Sequence, residues 1–123
     1  MLLIAIALAA PTSLTEMHQR DIACVVEIAI LADKQKRGVK SQTAFPDITN
    51  SGKRWAGLVG AQIVEESRQP REIVAFAMTE AAKARQANGR SAIDLGACIV
   101  QMASELKIAD AVNAPLPKPV KAQ

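Results

Sequence analysis

Three polar side chains in the most apolar part of the chain are spaced so that they could do chemistry. His18 is the only imidazole of the protein. Asp21 follows it at helical spacing on the same face, as in an Asp–His pair or half of a metal site completed by Glu16, Met17 or another helix. Glu27 is the single charge within Ile22-Ala23-Cys24-Val25-Val26-Glu27-Ile28-Ala29-Ile30-Leu31-Ala32. Buried with Arg20 or Lys34 as partner, it could serve as an acid or a ligand. A plainer expectation stands beside each. A histidine in the first turns of a helix, next to Arg20 and Asp21, is expected to be solvated. A lone glutamate is expected to lie along the surface with its carboxylate in water.

The remaining spacings exclude more than they suggest. Cys24 lies about 240° around a helix from His18, so the two form no local thiolate–imidazole dyad. A single histidine excludes a two-histidine metal site, and a Ser–His–Asp site would have to use His18 itself. No CxxC motif is present, and Gly57-Leu58-Val59-Gly60 has neither the lysine nor the strand of a phosphate loop. Glu65-Glu66 sits at a helix C-terminus without the spacing of a catalytic dyad, near Arg68 and Arg71. The methionines are spaced as core residues rather than copper ligands. No catalytic residue, metal ligand or cofactor is assigned on these grounds.

Two groups do point to a role. Cys24 and Cys98 are the only cysteines, an even pair that is expected to form a disulfide in an oxidising compartment. Closing so large a loop is worth about 4 kcal/mol in the chain-entropy account. Lys34, Lys36, Arg37, Lys40, Lys53 and Arg54 flank the first loop, offset only by Asp33 and Asp47, and are expected to cluster at one end of the fold. They could bind an anionic partner: lipid headgroups, polyanionic envelope material or an acidic protein. Arg68-Gln69-Pro70-Arg71-Glu72 places two arginines around a proline-initiated helix start, which also attracts anions.

The bulk composition sets the frame for these positions. A chain of 123 residues with half its residues hydrophobic is long enough for one domain and one core. Its aromatic residues are Trp55, Phe45 and Phe76, with no tyrosine. A core made of Ala, Val, Ile, Leu and Met favours closely packed helices over sheets. A net charge of +3 and a pI near 9.1 are far from those of a dedicated nucleic-acid binder, and the aromatic platforms that stack single-stranded bases are missing.

The elements that must position the residues follow from caps and periodicity. Residues 1–9 are apolar and end in Ala7-Leu8-Ala9, a small-x-small cleavage site; they read as a signal peptide lacking a basic n-region. Ser13-Leu14-Thr15-Glu16 has the form of a capping box. It opens a long helix over 14–36 with Leu14, Met17, Cys24, Ile28 and Leu31 in its apolar row and Gly38 as its stop. A helix over 52–67 follows, capped by Asp47 or Ser51, with Trp55, Leu58 or Val59, and Ile63 on one side. Its glycines Gly57 and Gly60 are expected to allow close packing, since each costs about 1 kcal/mol against alanine. A third helix over 70–87 carries Ile73, Phe76/Ala77, Ala81 and Ala84 inward and stops at Gly89. A fourth over 92–112, opened by Ser91, carries Leu95, Ile99, Met102 and Leu106. Phe45 is expected to drop into the core, and the alternating prolines of 114–123 form an extended tail.

Four helices and short connections give an all-α, four-helix up-down bundle spanning 10–113. No stretch reaches the about 20 apolar residues of a membrane span. The first functional reading is an exported protein, periplasmic or secreted, non-enzymatic and stapled by Cys24–Cys98, that binds a protein or anionic envelope component. The second is a cytoplasmic helical adaptor or homodimer, with the apolar N-terminus uncleaved and packed in an interface. The third is an enzyme or metal-binder using His18, Asp21 and Glu27.

Overall fold

The computed structural model describes residues 14–40, 44–90 and 93–113. Residues 1–9, which read as a signal peptide, and Ser13, Ser91, Ala92 and the proline-rich tail lie outside the described residues. Four helices make up the fold: α1 (Glu16–Lys36), α2 (Thr49–Ser67), α3 (Arg71–Asn88) and α4 (Leu95–Asn113). The protein is an all-α four-helix bundle, and no described helix is long and apolar enough to cross a membrane.

Side-chain hydrogen bonds mark the starts of α1 and α4, whereas α2 and α3 open without one. α1 starts two residues later than its apolar row suggests, because Thr15 rather than Ser13 is the N-cap. The Thr15 Oγ1 accepts the His18 N–H at 3.1 Å, and the Thr15 N–H donates to His18 Nδ1 at 3.3 Å. The histidine thus occupies the place glutamate takes in the usual capping box. α1 ends at Lys36, and Gly38 two residues on turns the chain with a φ of +75°, the left-handed conformation that glycine adopts without a Cβ penalty. Neither alternative caps α2, whose N-cap is Ile48 without a side-chain bond and whose first residue is Thr49 rather than residue 52. Asp47 instead closes the turn ahead of it. Its Oδ1 accepts the Thr49 N–H at 3.0 Å and the Thr49 hydroxyl at 2.9 Å. Both bonds favour the carboxylate and hold Asp47 below the usual 3.8. The Gln35 side chain pins this connection to the last turn of α1, donating to Pro46 O and accepting from Ile48 N–H. α4 begins after Asp94, whose carboxylate accepts the Ala97 N–H at 3.3 Å. Among the described residues the helix starts at Leu95.

α1 and α2 run antiparallel and form the centre, each in contact with all three other helices, whereas α3 and α4 do not touch each other. Ile28, Trp55, Val59, Ile63, Ile48 and Cys98 are the most deeply buried side chains. Phe45 packs against this core as expected. Among the described glycines the tightest surroundings are at Gly52, where an added Cβ would stand 3.1 Å from Ile28 Cγ2. It is not at Gly57, which meets nothing within 4 Å, nor at Gly60, where Met78 lies at ordinary contact distance.

α3 is turned relative to its expected face. Val74 is its only buried residue, Ala77, Met78 and Ala81 are half-buried against the core, and Ile73 and Phe76 are exposed. Helix α3 meets the bundle through short side chains, and its phenylalanine faces outward at 64% exposure. Met17, expected in the apolar row of α1, is likewise exposed.

Candidate functional site

His18, Asp21 and Glu27 are not gathered into one site; each is drawn to a different helix. His18 is buried, not solvated, and its Nε2 lies 2.9 Å from Glu66 Oε1 on α2. Because Nδ1 accepts the Thr15 N–H, the ring proton is on Nε2, which donates to the glutamate. Glu66, which shows no catalytic spacing in the sequence, thus caps a structural histidine. Asp21 accepts from Gln101 Nε2 at 2.9 Å, and Gln101 also donates to Glu105 Oε2 at 3.0 Å. The other oxygen of Glu105 accepts from the indole N–H of Trp55 at 2.9 Å. One chain of hydrogen bonds therefore runs from α1 through α4 to α2, and the buried indole is satisfied. His18, Asp21 and Glu27 do not converge, and among the described residues no group of three metal-ligating side chains exists.

Glu27 departs most from its expected surface position. Its side chain is 8% exposed, and its Oε2 accepts from Arg85 Nε at 2.5 Å. Neither Arg20 nor Lys34 is its partner. The sequence signal for Arg85 was indirect: a carboxylate enclosed by apolar residues demands a cation, and Arg85 interrupts the alanine-rich row of α3 at a height level with Glu27. The side chain of Arg85 remains 22% exposed, so one edge of the guanidinium is fixed by the buried carboxylate and the rest reaches solvent.

That solvent-facing edge opens into a groove of about 730 Å³ between α1 and α3. Its apolar wall comes from Val25, Val26, Ile30, Met78 and Ala82. Lys34, Arg37 and Arg85 bring three cations to it, with Asp33, Thr79 and Gln86 as further polar groups. Arg37 Nε donates to Asp33 Oδ2 at 2.9 Å, leaving the guanidinium end toward solvent. Lys34 forms no ion pair with the described residues. The basic group read from the sequence is thereby divided. Lys34 and Arg37 line this groove, while Lys36 and Lys53 line a second one between α1 and α2, beside Asp33 and Asp47. Arg54 pairs with Asp110 of α4, and Lys40 is exposed beyond the end of α1.

Cys24 and Cys98 are joined, with sulfurs 2.01 Å and Cα atoms 5.4 Å apart. The bond fixes the first half of α4 to the middle of α1. Ile93 and Asp94, leading into α4, lie beside Arg20 and Cys24, so α1 is flanked on this side as well. These features define a disulfide-linked helical bundle with open grooves beside its central helix. No protein family matches the chain, and no match is found among curated proteins or solved structures.

Proposed function

We propose that the protein is an exported, non-enzymatic binding module, held together by the Cys24–Cys98 bond and acting through an open groove of the bundle. The observation that carries this reading is the α1/α3 groove, an apolar-walled recess with cations supplied by two helices. It has the size of a small-ligand or side-chain binding site and sets an apolar wall beside charged groups. The disulfide supports the compartment, since such bonds persist in oxidising spaces. Mass spectrometry of the natively produced protein tests the reading. Loss of residues 1–9 together with two protons is expected, and a full-length chain with two free thiols would sink it.

A second reading is favoured by a different surface. Leu14, Ile22, Ile73, Phe76, Ala77 and Ala81 line an apolar groove of about 640 Å³ at the start of α1, next to where the apolar residues 1–10 join the chain. In a cytoplasmic homodimer or adaptor this groove would receive that segment from a second copy. Deleting residues 1–9 should then abolish dimerisation; unchanged behaviour after deletion dismisses the idea.

A further inference from the structure

We infer that the α1/α3 groove binds an amphipathic anion: a single hydrocarbon chain carrying a carboxylate. The inference rests on the proposed binding role and names the site and the ligand class that the role would use. Three observations lead to it.

First, the groove has an inner wall that prefers hydrocarbon. Val25 and Val26 are buried at its base, and Ile30, Met78 and Ala82 are half-buried around them. Methionine and alanine on α3 give an adaptable, shallow surface suited to an alkyl chain rather than to a planar ring.

Second, the charge is complementary to one anion. Lys34, Arg37 and Arg85 face the groove, against Asp33 within it and Glu27 behind it. Glu27 takes one edge of Arg85 and Asp33 takes Arg37 Nε. Lys34 pairs with no acid among the described residues, so the described lining of the groove carries a net single positive charge. A monoanion neutralises it. Lys34 stands two helical turns beyond Glu27 on the same side of α1, which brings its ammonium to the end of the groove where Arg37 lies.

Third, the cation at the apolar wall is pre-positioned. A guanidinium anchored through Nε by a buried carboxylate cannot fold away into solvent. Its outer N–H donors form a planar edge of the geometry that receives a carboxylate. Ordering that arginine does not have to be repeated when the ligand arrives. The basic side chains alone would suit any polyanion; the apolar wall beside a fixed arginine selects an amphiphile.

Calorimetric titration of the intact, oxidised protein with sodium decanoate tests the inference. Acetate and decyltrimethylammonium serve as probes for the head and the chain. Saturable one-site binding of decanoate is expected, with acetate weaker by at least a hundredfold and the cationic analogue by at least tenfold. The exposed pair K34E/R37E should lose at least tenfold in decanoate affinity, and A82W, which fills the groove, should abolish it while melting like the parent. Equal binding of decanoate and decyltrimethylammonium would overturn the inference, as would undiminished binding by K34E/R37E. Co-sedimentation with phosphatidylglycerol vesicles but no binding of decanoate would also overturn it, assigning the cations to a membrane surface. Failure of decanoate to bind a protein that mass spectrometry finds processed and oxidised would remove the ligand class and leave the export reading standing.

Discussion

Replacing Arg85 with alanine leaves the carboxylate of Glu27 in place, 8% exposed, with no cation to face. Breaking a buried ion pair from one side costs about 3–5 kcal/mol when the orphaned charge is fully enclosed. Here the arginine end of the pair opens on the groove, so water entering the vacated space would solvate one carboxylate oxygen. The expected cost is therefore lower, about 2–4 kcal/mol. The reverse change is cheaper. Glu27→Met removes the buried charge, and Arg85, already 22% exposed, can extend into the groove at a cost of about 1 kcal/mol or less. The double variant E27M/R85A removes both charges, leaves only apolar atoms at the site, and should fall within about 1 kcal/mol of the parent. Denaturant unfolding followed by the fluorescence of Trp55, the sole and fully buried tryptophan, measures all three in one buffer. A double-mutant cycle should return a coupling of about 2 kcal/mol or more. If R85A costs under 1 kcal/mol, or no more than E27M, the carboxylate has found water. Arg85 would then not be held rigidly at the groove.

The two helical glycines of contrasting surroundings should respond oppositely to alanine. Gly57→Ala meets nothing within 4 Å and should stabilise by about 1 kcal/mol through helix propensity alone. In Gly52→Ala the new Cβ meets the short, buried Cγ2 of Ile28 at 3.1 Å, so overpacking of about 1–3 kcal/mol offsets or exceeds the same gain; thermal melts of both variants decide it. Reduction of Cys24–Cys98 should lower stability by about 4 kcal/mol, read as a shift of the denaturant midpoint with dithiothreitol. For a small domain of about 5–15 kcal/mol total stability, the reduced chain would sit near the edge of folding. Asp47, held below the usual 3.8 by its bonds to Thr49, stabilises the fold above that unfolded-state value and loses this contribution as pH falls through its lower folded value. Stability measured downward from pH 5 should fall less steeply in D47A than in the parent; identical slopes would remove Asp47 from the acid response.

The residues that made the fold legible are those whose signal is local. Gly38 and Gly89 stop α1 and α3 where the left-handed turn is needed, and Trp55, Val59 and Ile63 mark the inward face of α2 by spacing alone. Cys24 and Cys98 were legible because few arrangements satisfy two cysteines in one small bundle. What periodicity does not carry is the rotation of a helix with weak contrast. α3 is alanine-rich, so turning Phe76 outward sacrifices little contact that alanine and Met78 do not restore. The candidate site was half legible for a related reason. Lys34 and Arg37 stand out as a charge cluster, but Arg85 is distant in sequence and becomes a groove residue only once α3 lies beside α1. His18 misled because its burial depends on Thr15 and Glu66, one a local cap and the other a residue of α2.

His18, Asp21 and Glu27 of α1 have a role that packing alone does not supply. Hydrophobic burial is non-directional, and α1 is apolar over most of its circumference, so several arrangements of three amphipathic helices around it would bury similar area. His18 is bonded to α2, Asp21 to α4 and Glu27 to α3, so each neighbour has one polar contact to satisfy. A helix placed on the wrong face leaves a buried donor or acceptor unpaired, at about 1–3 kcal/mol for each group. The pairs would then act chiefly against alternatives and add little to the native energy. The triple variant H18L/D21L/E27M separates these roles. Its orphaned partners are tolerable, because Glu66 is 65% exposed, Gln101 keeps Glu105, and Arg85 reaches the groove. With the disulfide intact the variant should unfold within about 2 kcal/mol of the parent. It should nevertheless bind a hydrophobic dye and show broadened side-chain resonances as alternative packings interconvert. A single sharp set of resonances without dye binding would mean that shape complementarity around Ile28 and Trp55 already selects one arrangement, and that the polar contacts of α1 merely decorate it.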